Sequence, residues 1–251
     1  KYNRPIDIEI SRIFDITPSL ASSKDLLKLK SFTKYNFLNK IIRKILPIKP
    51  SHFIEKKPFC YDKSIFDNLG DTYFEGNWMN ISYYTNINQK IRKAFVFKDL
   101  MDDLNKQTLF NIKKSNSVSV HVRRGDYLEN NGENLILGLE YYSKAIRFIN
   151  TKVENPSFFI FSDDILWCKK NLNILLNDSK FIFVDWNKFN NSFIDMQLMS
   201  NCKHNILGNS TFSWWSAWLN LYKDKLVIVS KKWQKHCNYE SGHILKEWIK
   251  I

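Results

Sequence analysis

The stretch KHNILGNSTFSWWSAWLNLYKDKLVIVS, Lys203 to Ser230, decides the fold. KHNILGN reads as a short apolar strand, STFSWWSAWLNLY as a helix and KLVIVS as a second strand. The same alternation runs outward from it. SVSVHVR from Ser117 is a strand, and GLEYYSKAIRFIN (Gly138–Asn150) a helix. SFFIFSDD and KFIFVDW are strands, and ILWCKKNLNILL and NSFIDMQLMSNC are helices. Strands of about five residues that alternate with helices of about ten predict βαβ units, an α/β fold and a parallel sheet. In such sheets ligands bind beyond the carboxyl ends of the strands, so those ends are where function is sought.

Residues 1–115 have a different texture and are read as a separate half from 116–251. Lys24–Leu46 alternates leucine and isoleucine with lysine at helical spacing and is stopped by Pro47 and Pro50. It predicts basic amphipathic helices, with the apolar face on a core or on a membrane surface. YFEGNWMN (Tyr73–Asn80) reads as a strand or loop, and NQKIRKAFVF (Asn88–Phe97) as a helix or a strand. The 251 residues are 44% hydrophobic and 15% aromatic, with a net charge of +13. That composition fits a packed protein with anionic partners. The four cysteines form no CxxC pair and read as reduced thiols, no metal site is expected, and no run approaches the ~20 apolar residues of a membrane span.

Three strand ends carry chemistry. HVRRGDY (His121–Tyr127) places two arginines where a strand stops. Strand alternation puts Arg123 on the face of His121 and Ser119, and Arg124 on the valine side. A guanidinium is a planar fork that matches phosphate, so Arg123 with His121 is assigned to a ligand, and Arg124 to a brace with Asp126 or another acid. FSDD (Phe161–Asp164) offers two carboxylates that could meet a ribose or guanine edge, bind a divalent cation or cap the next helix; as neighbours, Asp163 and Asp164 should have different jobs. Gly208, Asn209, Ser210 and Thr211 form a polar turn that opens a helix, whose free N–H groups favour an anion. Phe212, Trp215, Trp218 and Leu219 recur as an apolar stripe and read as that helix's core face, while Ser213 and Ser216 let it lie close to the sheet. A cation fork, an acid pair and a helix N-terminus on one rim suit a nucleotide diphosphate, although neither a P-loop nor a GxGxxG fingerprint is present.

At these residues the chain resembles the α-1,2-fucosyltransferases of glycosyltransferase family 11. The resemblance is carried by HVRRGDY, FSDD, DMQLMSNCKHNILGNSTFSWWSAWLN (Asp195–Asn220) and the opening KYNRPIDIEISRIFDI. It implies a GT-B-like pair of Rossmann-like halves, with GDP-fucose on the C-terminal half and the acceptor on the N-terminal side. It also implies inverting, metal-independent transfer of L-fucose to the 2-hydroxyl of a galactose-type acceptor, without a cofactor. The donor-binding set it implies is His121, Arg123, Arg124, Asp163, Asp164, Asn209, Ser210, Thr211, Phe212 and Ser213. Arg123 would take the β-phosphate, with Asp126 and His121 as candidate bases. The GGLGNQ loop and first strand usual in the family do not precede Lys1, so the N-terminal half is expected to be incomplete.

Other readings fare worse. Scattered lysines without a recognition motif argue against nucleic acid. An adhesion role for Arg124–Asp126 needs an exposed loop tip, and the tripeptide follows a buried-type strand. A fucosyltransferase of α-1,6 or protein O-linkage, or a donor-binding relative without catalysis, keeps the same donor site. The lysine-, asparagine- and isoleucine-rich composition reads as bacterial, and the reduced cysteines fit the cytoplasm. Together with the resemblance this implies a surface-polysaccharide acceptor on a lipid carrier, with the basic N-terminal half peripheral at the inner face of the membrane.

Overall fold

The computed structural model describes residues 9–31, 48–67, 70–129, 135–176, 179–234 and 242–251. Residues 32–47, which hold most of the predicted basic amphipathic segment, lie outside them, as do the first eight and Cys237. The described chain forms two compact units, one of Lys1–Ile16, Arg92–Tyr239 and Lys246–Ile251, the other of Thr17–Ile91 and Glu240–Leu245.

In chain order the helices are α1 (Ile10–Ile13), α2 (Ser23–Leu29), α3 (Asn88–Ala94), α4 (Asp103–Lys114), α5 (Gly125–Glu129), α6 (Leu139–Lys152), α7 (Ile165–Asn171), α8 (Ser192–Asn201) and α9 (Thr211–Leu219). The strands are β1 (His52–Ile54), β2 (Tyr73–Glu75), β3 (Asn116–Val122), β4 (Pro156–Ser162), β5 (Lys180–Val184), β6 (His204–Ile206), β7 (Val227–Val229) and β8 (Ile249–Lys250). The predicted alternation from Ser117 onward is present. The two-residue β8 is too short to leave a periodic signal and is seen only through its pairing with β7.

β3 to β8 form one six-stranded sheet, parallel throughout, in the order β5-β4-β3-β6-β7-β8. The chain starts in the middle, winds outward to β5, then returns to the other side of β3 for β6. That order belongs to the Rossmann-like, doubly wound sheets, and its switch point lies between β3 and β6. Period-two alternation covers both faces. Val118, Val120, Val122, Phe158 and Ile160 pack against Tyr142, Ile146 and Ile149 of α6 and Leu172 beyond α7. Phe159, Phe161 and Val184 pack on the other face against Ile112 of α4 and Ile194, Leu198 and Met199 of α8. Segment 92–115, grouped with the irregular half by its texture, therefore belongs with the sheet: α4 feeds directly into β3 and covers one of its faces.

Polar cross-links fix the centre of this unit. Asn205, fully buried on β6, donates to Ser119 Oγ at 2.7 Å and to Met199 O at 2.9 Å. It accepts from Asn220 Nδ2 at 2.8 Å, and Asn220 also holds Cys202 O. The Asn205 and Asn220 amides are thus both partnered, and the register of β6 against β3 is specified rather than merely allowed.

The smaller unit pairs β1 with β2 in parallel, so YFEGNWMN begins as a strand. Phe53, Phe74, Trp78 and Tyr83 form its aromatic cluster. α2 starts at a capping box in which Ser22 and Asp25 bond each other's backbone N–H. It ends at Leu29 because Lys30 is extended, and none of its residues is buried. The expectation of a core-facing stripe along this described part is therefore corrected: Leu27 is 77% exposed. Asn88–Phe97, ambiguous in sequence, is helical to Ala94. No helix among the described residues is long and apolar enough to cross a membrane.

Candidate active site

The C-terminal ends of β3, β4 and β6 bring together residues that are far apart in sequence. β3 stops at Val122 and α5 starts at Gly125, so strand alternation does not extend to the arginines. The i, i+3 spacing across the start of α5 sets Asp126 beside Arg123, with Nη2 to Oδ1 at 2.8 Å. Arg123 Nη1 lies 3.1 Å from Asp163 Oδ2. The expected pairing of Asp126 with Arg124 is thereby corrected: Asp126 pairs with Arg123, and Arg124 takes "another acid". Its Nε donates to Asp164 Oδ2 at 3.2 Å, and its guanidinium lies over the Trp167 ring at 4.2 Å.

The two aspartates do have different jobs. Asp164 braces Arg124 and caps α7 by accepting from Trp167 N–H at 3.1 Å. Asp163 faces Arg123 and accepts the Arg124 N–H at 2.8 Å. Gly125 allows this approach, since a Cβ there would lie 3.1 Å from Asp163 Oδ2. The Arg123 Nε is buried and has no hydrogen-bond partner in the structure, so the fork keeps donor capacity. A guanidinium presents a planar fork of parallel donors at this rim, which a lysine ammonium could not.

Next to this cluster lies the turn into α9. Gly208 passes so close to β3 that a Cβ would sit 3.0 Å from His121 O, 3.1 Å from His121 Nδ1 and 3.3 Å from Arg123 N. Ser210 caps α9 through the Phe212 N–H, and Ser213 Oγ donates back to Gly208 O at 3.1 Å. Asn209 donates to Lys232 O at 3.0 Å and leaves its Oδ1 buried without a partner. Thr211 is exposed at the start of the helix, and Phe212 lies 5.7 Å from the His121 ring. The structure thus places His121, Arg123, Arg124, Asp163, Asp164 and Asn209–Ser213 along adjacent strand ends, at the switch point of the sheet.

Tyr127 is part of this geometry although its role was not read from the sequence. Its hydroxyl donates to Asn209 O at 2.7 Å while its ring lies 5.5 Å from the Arg123 guanidinium. Its neighbour in space is 82 positions away in the chain, so no local signal could have identified it. Tyr142 and Tyr141 do similar work beneath, donating to His121 O and Leu207 O.

The aromatic stripe of α9 is also corrected. Trp214, Ala217 and Trp218 are buried with Ser213 and Ser216, while Phe212, Trp215 and Leu219 are half-buried. Trp214 packs on Trp218 and Trp248. A helix of serine, alanine and tryptophan has apolar residues on several faces, and spacing alone does not choose among them.

Burial holds His121 neutral, pushing its pKa down to about 4 against a counteracting pull from Asp163 and with further lowering by Arg123. The unfolded chain takes up this proton near pH 6.5, whereas the folded chain refuses it until about pH 4. Stability from His121 is therefore full above pH 6.5 and is lost as pH falls through that window, by on the order of 3 kcal/mol. Asp195 acts oppositely: burial raises its carboxyl to about 7, offset by a hydrogen bond from Asn187, so its stabilising proton is lost as pH rises. The expected result is that the slope of stability against pH between pH 4 and 6.5, measured by denaturant titration, is less positive in His121→Gln than in wild type by about 1.4 kcal/mol per pH unit, with the opposing Asp195 contribution common to both. Parallel curves would show that His121 titrates normally in the fold.

Gly208→Ala should cost about 1–3 kcal/mol, because the atoms a Cβ would meet are backbone and ring atoms of β3 that cannot swing away. Thermal unfolding would read it, and a change under 0.5 kcal/mol would mean that the strand ends are more pliable than their packing indicates.

Residues 26–251 match the family described as Glycosyl transferase family 11. The chain belongs to glycosyl transferase family 11. Among relatives of this family, an Alpha-1,2-colitosyltransferase of Escherichia coli is 38% identical over 199 residues, covering 76% of this chain and 67% of that protein. The O-antigen biosynthesis glycosyltransferase WbnK of Escherichia coli is 37% identical over 156 residues, covering 61% and 50%. A Galactoside alpha-(1,2)-fucosyltransferase 2 of Rattus norvegicus is 25% identical over 238 residues, covering 86% and 66%. The family 11 chain thus spans between half and two thirds of the length of these relatives. All three alignments concern glycosyltransferases, which use a sugar donor and an acceptor.

Proposed function

We propose that this family 11 chain transfers L-fucose from GDP-fucose, with inversion and without a metal, to the 2-hydroxyl of a galactose-type unit in a bacterial surface polysaccharide. The observation that carries the reading is the Arg123 fork at the switch point of the sheet, beside the N-terminal turn of α9. In a GT-B arrangement this unit is the donor half, and Thr17–Ile91 contributes to the acceptor half.

In that reaction negative charge grows on the departing β-phosphate oxygen while the sugar passes through an oxocarbenium-like state. Arg123 and the α9 N–H groups stabilise the charge where it develops. The diphosphate competes with Asp126 and Asp163 for the guanidinium. Its arrival frees carboxylate capacity, Asp163 toward the nucleoside and Asp126 toward the acceptor hydroxyl. Burial makes His121 a weak base, which favours Asp126 as the proton acceptor. Tyr127 and Arg124 hold this constellation in place.

A second reading concerns the donor sugar alone. The Escherichia coli relative named for colitose points to a sugar that lacks the 3-hydroxyl of fucose. Purified protein with GDP-fucose or GDP-colitose and a galactose-terminated acceptor, followed by NMR of the product linkage, separates the two. An α-1,2-fucosyl product supports the primary reading, and preferential colitosyl transfer replaces it with the second. A 1,6 or peptide linkage, or donor binding with no transfer to any acceptor sugar, would sink both.

A further inference from the structure

A cleft of about 460 Å³ opens in the six-stranded unit, well away from the arginine cluster. α8 runs into β6 and α9 toward β7, so their C-terminal ends lie at the opposite edge of the sheet from Arg123 and Gly208. Gln197 of α8, Leu219 of α9, Leu221, Phe95, Lys113 and Arg92 line this cleft. All of them belong to the same compact unit.

Two polar groups there lack partners. Arg92 stacks its guanidinium 4.0 Å over the Trp218 ring, and its Nη1 is buried without a hydrogen bond. Gln197 Oε1 is likewise buried and unpartnered. Leaving a charged donor and an amide acceptor dry is costly, so such groups normally meet a partner. No carboxylate offsets the cation: burial alone lowers the Arg92 pKa, and no Asp or Glu among the described residues lines the cleft. Burial and the nearby Arg92 charge also push Lys225 down to about 8, against a pull from Glu247. The rest of the wall has an apolar stretch of Phe95, Val96, Phe97, Leu219 and Leu221 beside the polar Lys113, Ser200, Asn201, Asn220 and Tyr222, and Leu221 is 77% exposed.

We propose that this cleft binds an anionic phospholipid, with the phosphate on Arg92, a head-group hydroxyl donating to Gln197 Oε1, and an acyl chain along Phe95, Leu219 and Leu221. An inorganic anion would leave the apolar stretch of the wall and Gln197 unanswered, and a neutral lipid would leave the guanidinium unpaired. The site is independent of the donor reading, since none of its residues belongs to that rim.

The test is calorimetric titration of the whole chain with dihexanoyl phosphatidylglycerol below its micelle concentration, alongside dihexanoyl phosphatidylcholine and inorganic phosphate. The expected result is one phosphatidylglycerol per chain, with each of the other two at least about tenfold weaker. Arg92→Met and Gln197→Leu should each weaken phosphatidylglycerol by about tenfold, the scale of one good charge-assisted bond. Leu221→Asp, at an exposed position that does not endanger the fold, should weaken it similarly. Equal binding of the two lipids, equal binding of inorganic phosphate, or unchanged affinity in Leu221→Asp together with a folded Arg92→Met or Gln197→Leu would overturn the proposal. If both buried-site variants fail to fold, the lipid comparison and Leu221→Asp decide it.

Discussion

Arg123→Met is expected to lower kcat/KM for donor turnover by about 10²- to 10³-fold, because one preorganised donor to a developing oxyanion contributes ~3–4 kcal/mol. GDP affinity should fall as well, by the ~1.5–3 kcal/mol of a charge-assisted bond. The variant has a second consequence that separates function from structure. Without the guanidinium, Asp126 and Asp163, both partly buried, lose the cation they share. The fold should therefore lose about 1–2 kcal/mol. Changing both aspartates to asparagine in the Arg123→Met background removes both carboxylate charges and should restore stability, while GDP binding stays lost. Recovery of binding along with stability would mean that Arg123 only holds the loop. Arg123→Lys should fold normally and retain only part of the affinity, since an ammonium cannot present two parallel donors. Calorimetric titration with GDP, and UDP as the control, reads each case.

Trp214→Ala should be the most destabilising of the α9 tryptophan substitutions, by about 3–5 kcal/mol. Trp214 is 1% exposed, packs nearly parallel to Trp218 and contacts both Trp215 and Trp248. Its loss would open a void beneath the helix whose first turn faces the Arg123 rim. Trp215 is half-buried and stacks on Phe95 at 5.4 Å, so Trp215→Ala should cost clearly less, about 1–2 kcal/mol. Scanning calorimetry would show the order, with Trp214→Ala lowering Tm by about 10 °C at the ~2–4 °C per kcal/mol of a chain this size. If Trp215→Ala proves as damaging as Trp214→Ala, the core face of α9 is the one suggested by residue spacing.

The sequence alone determined the strand–helix alternation from Ser117 onward, hence the parallel sheet, and it placed His121, Arg123, Asp163 and the Gly208–Ser213 turn at strand ends. It could do so because side-chain period and strand termination are local properties written in consecutive residues. It also contained the separation of roles between Asp163 and Asp164, which follows from their adjacency. Tertiary structure decided the rest. Which arginine meets Asp126 depended on the strand stopping at Val122, before alternation could reach Arg123 and Arg124. The docking of Tyr127 on Asn209, the passage of Gly208 against His121 and the choice of Trp214 as the buried tryptophan each join segments that local patterns cannot relate. The strand order, with its switch point between β3 and β6, was settled in the same way. Parallel pairing needs no adjacency in sequence, and only the packing of helices on both faces fixes which strands become neighbours.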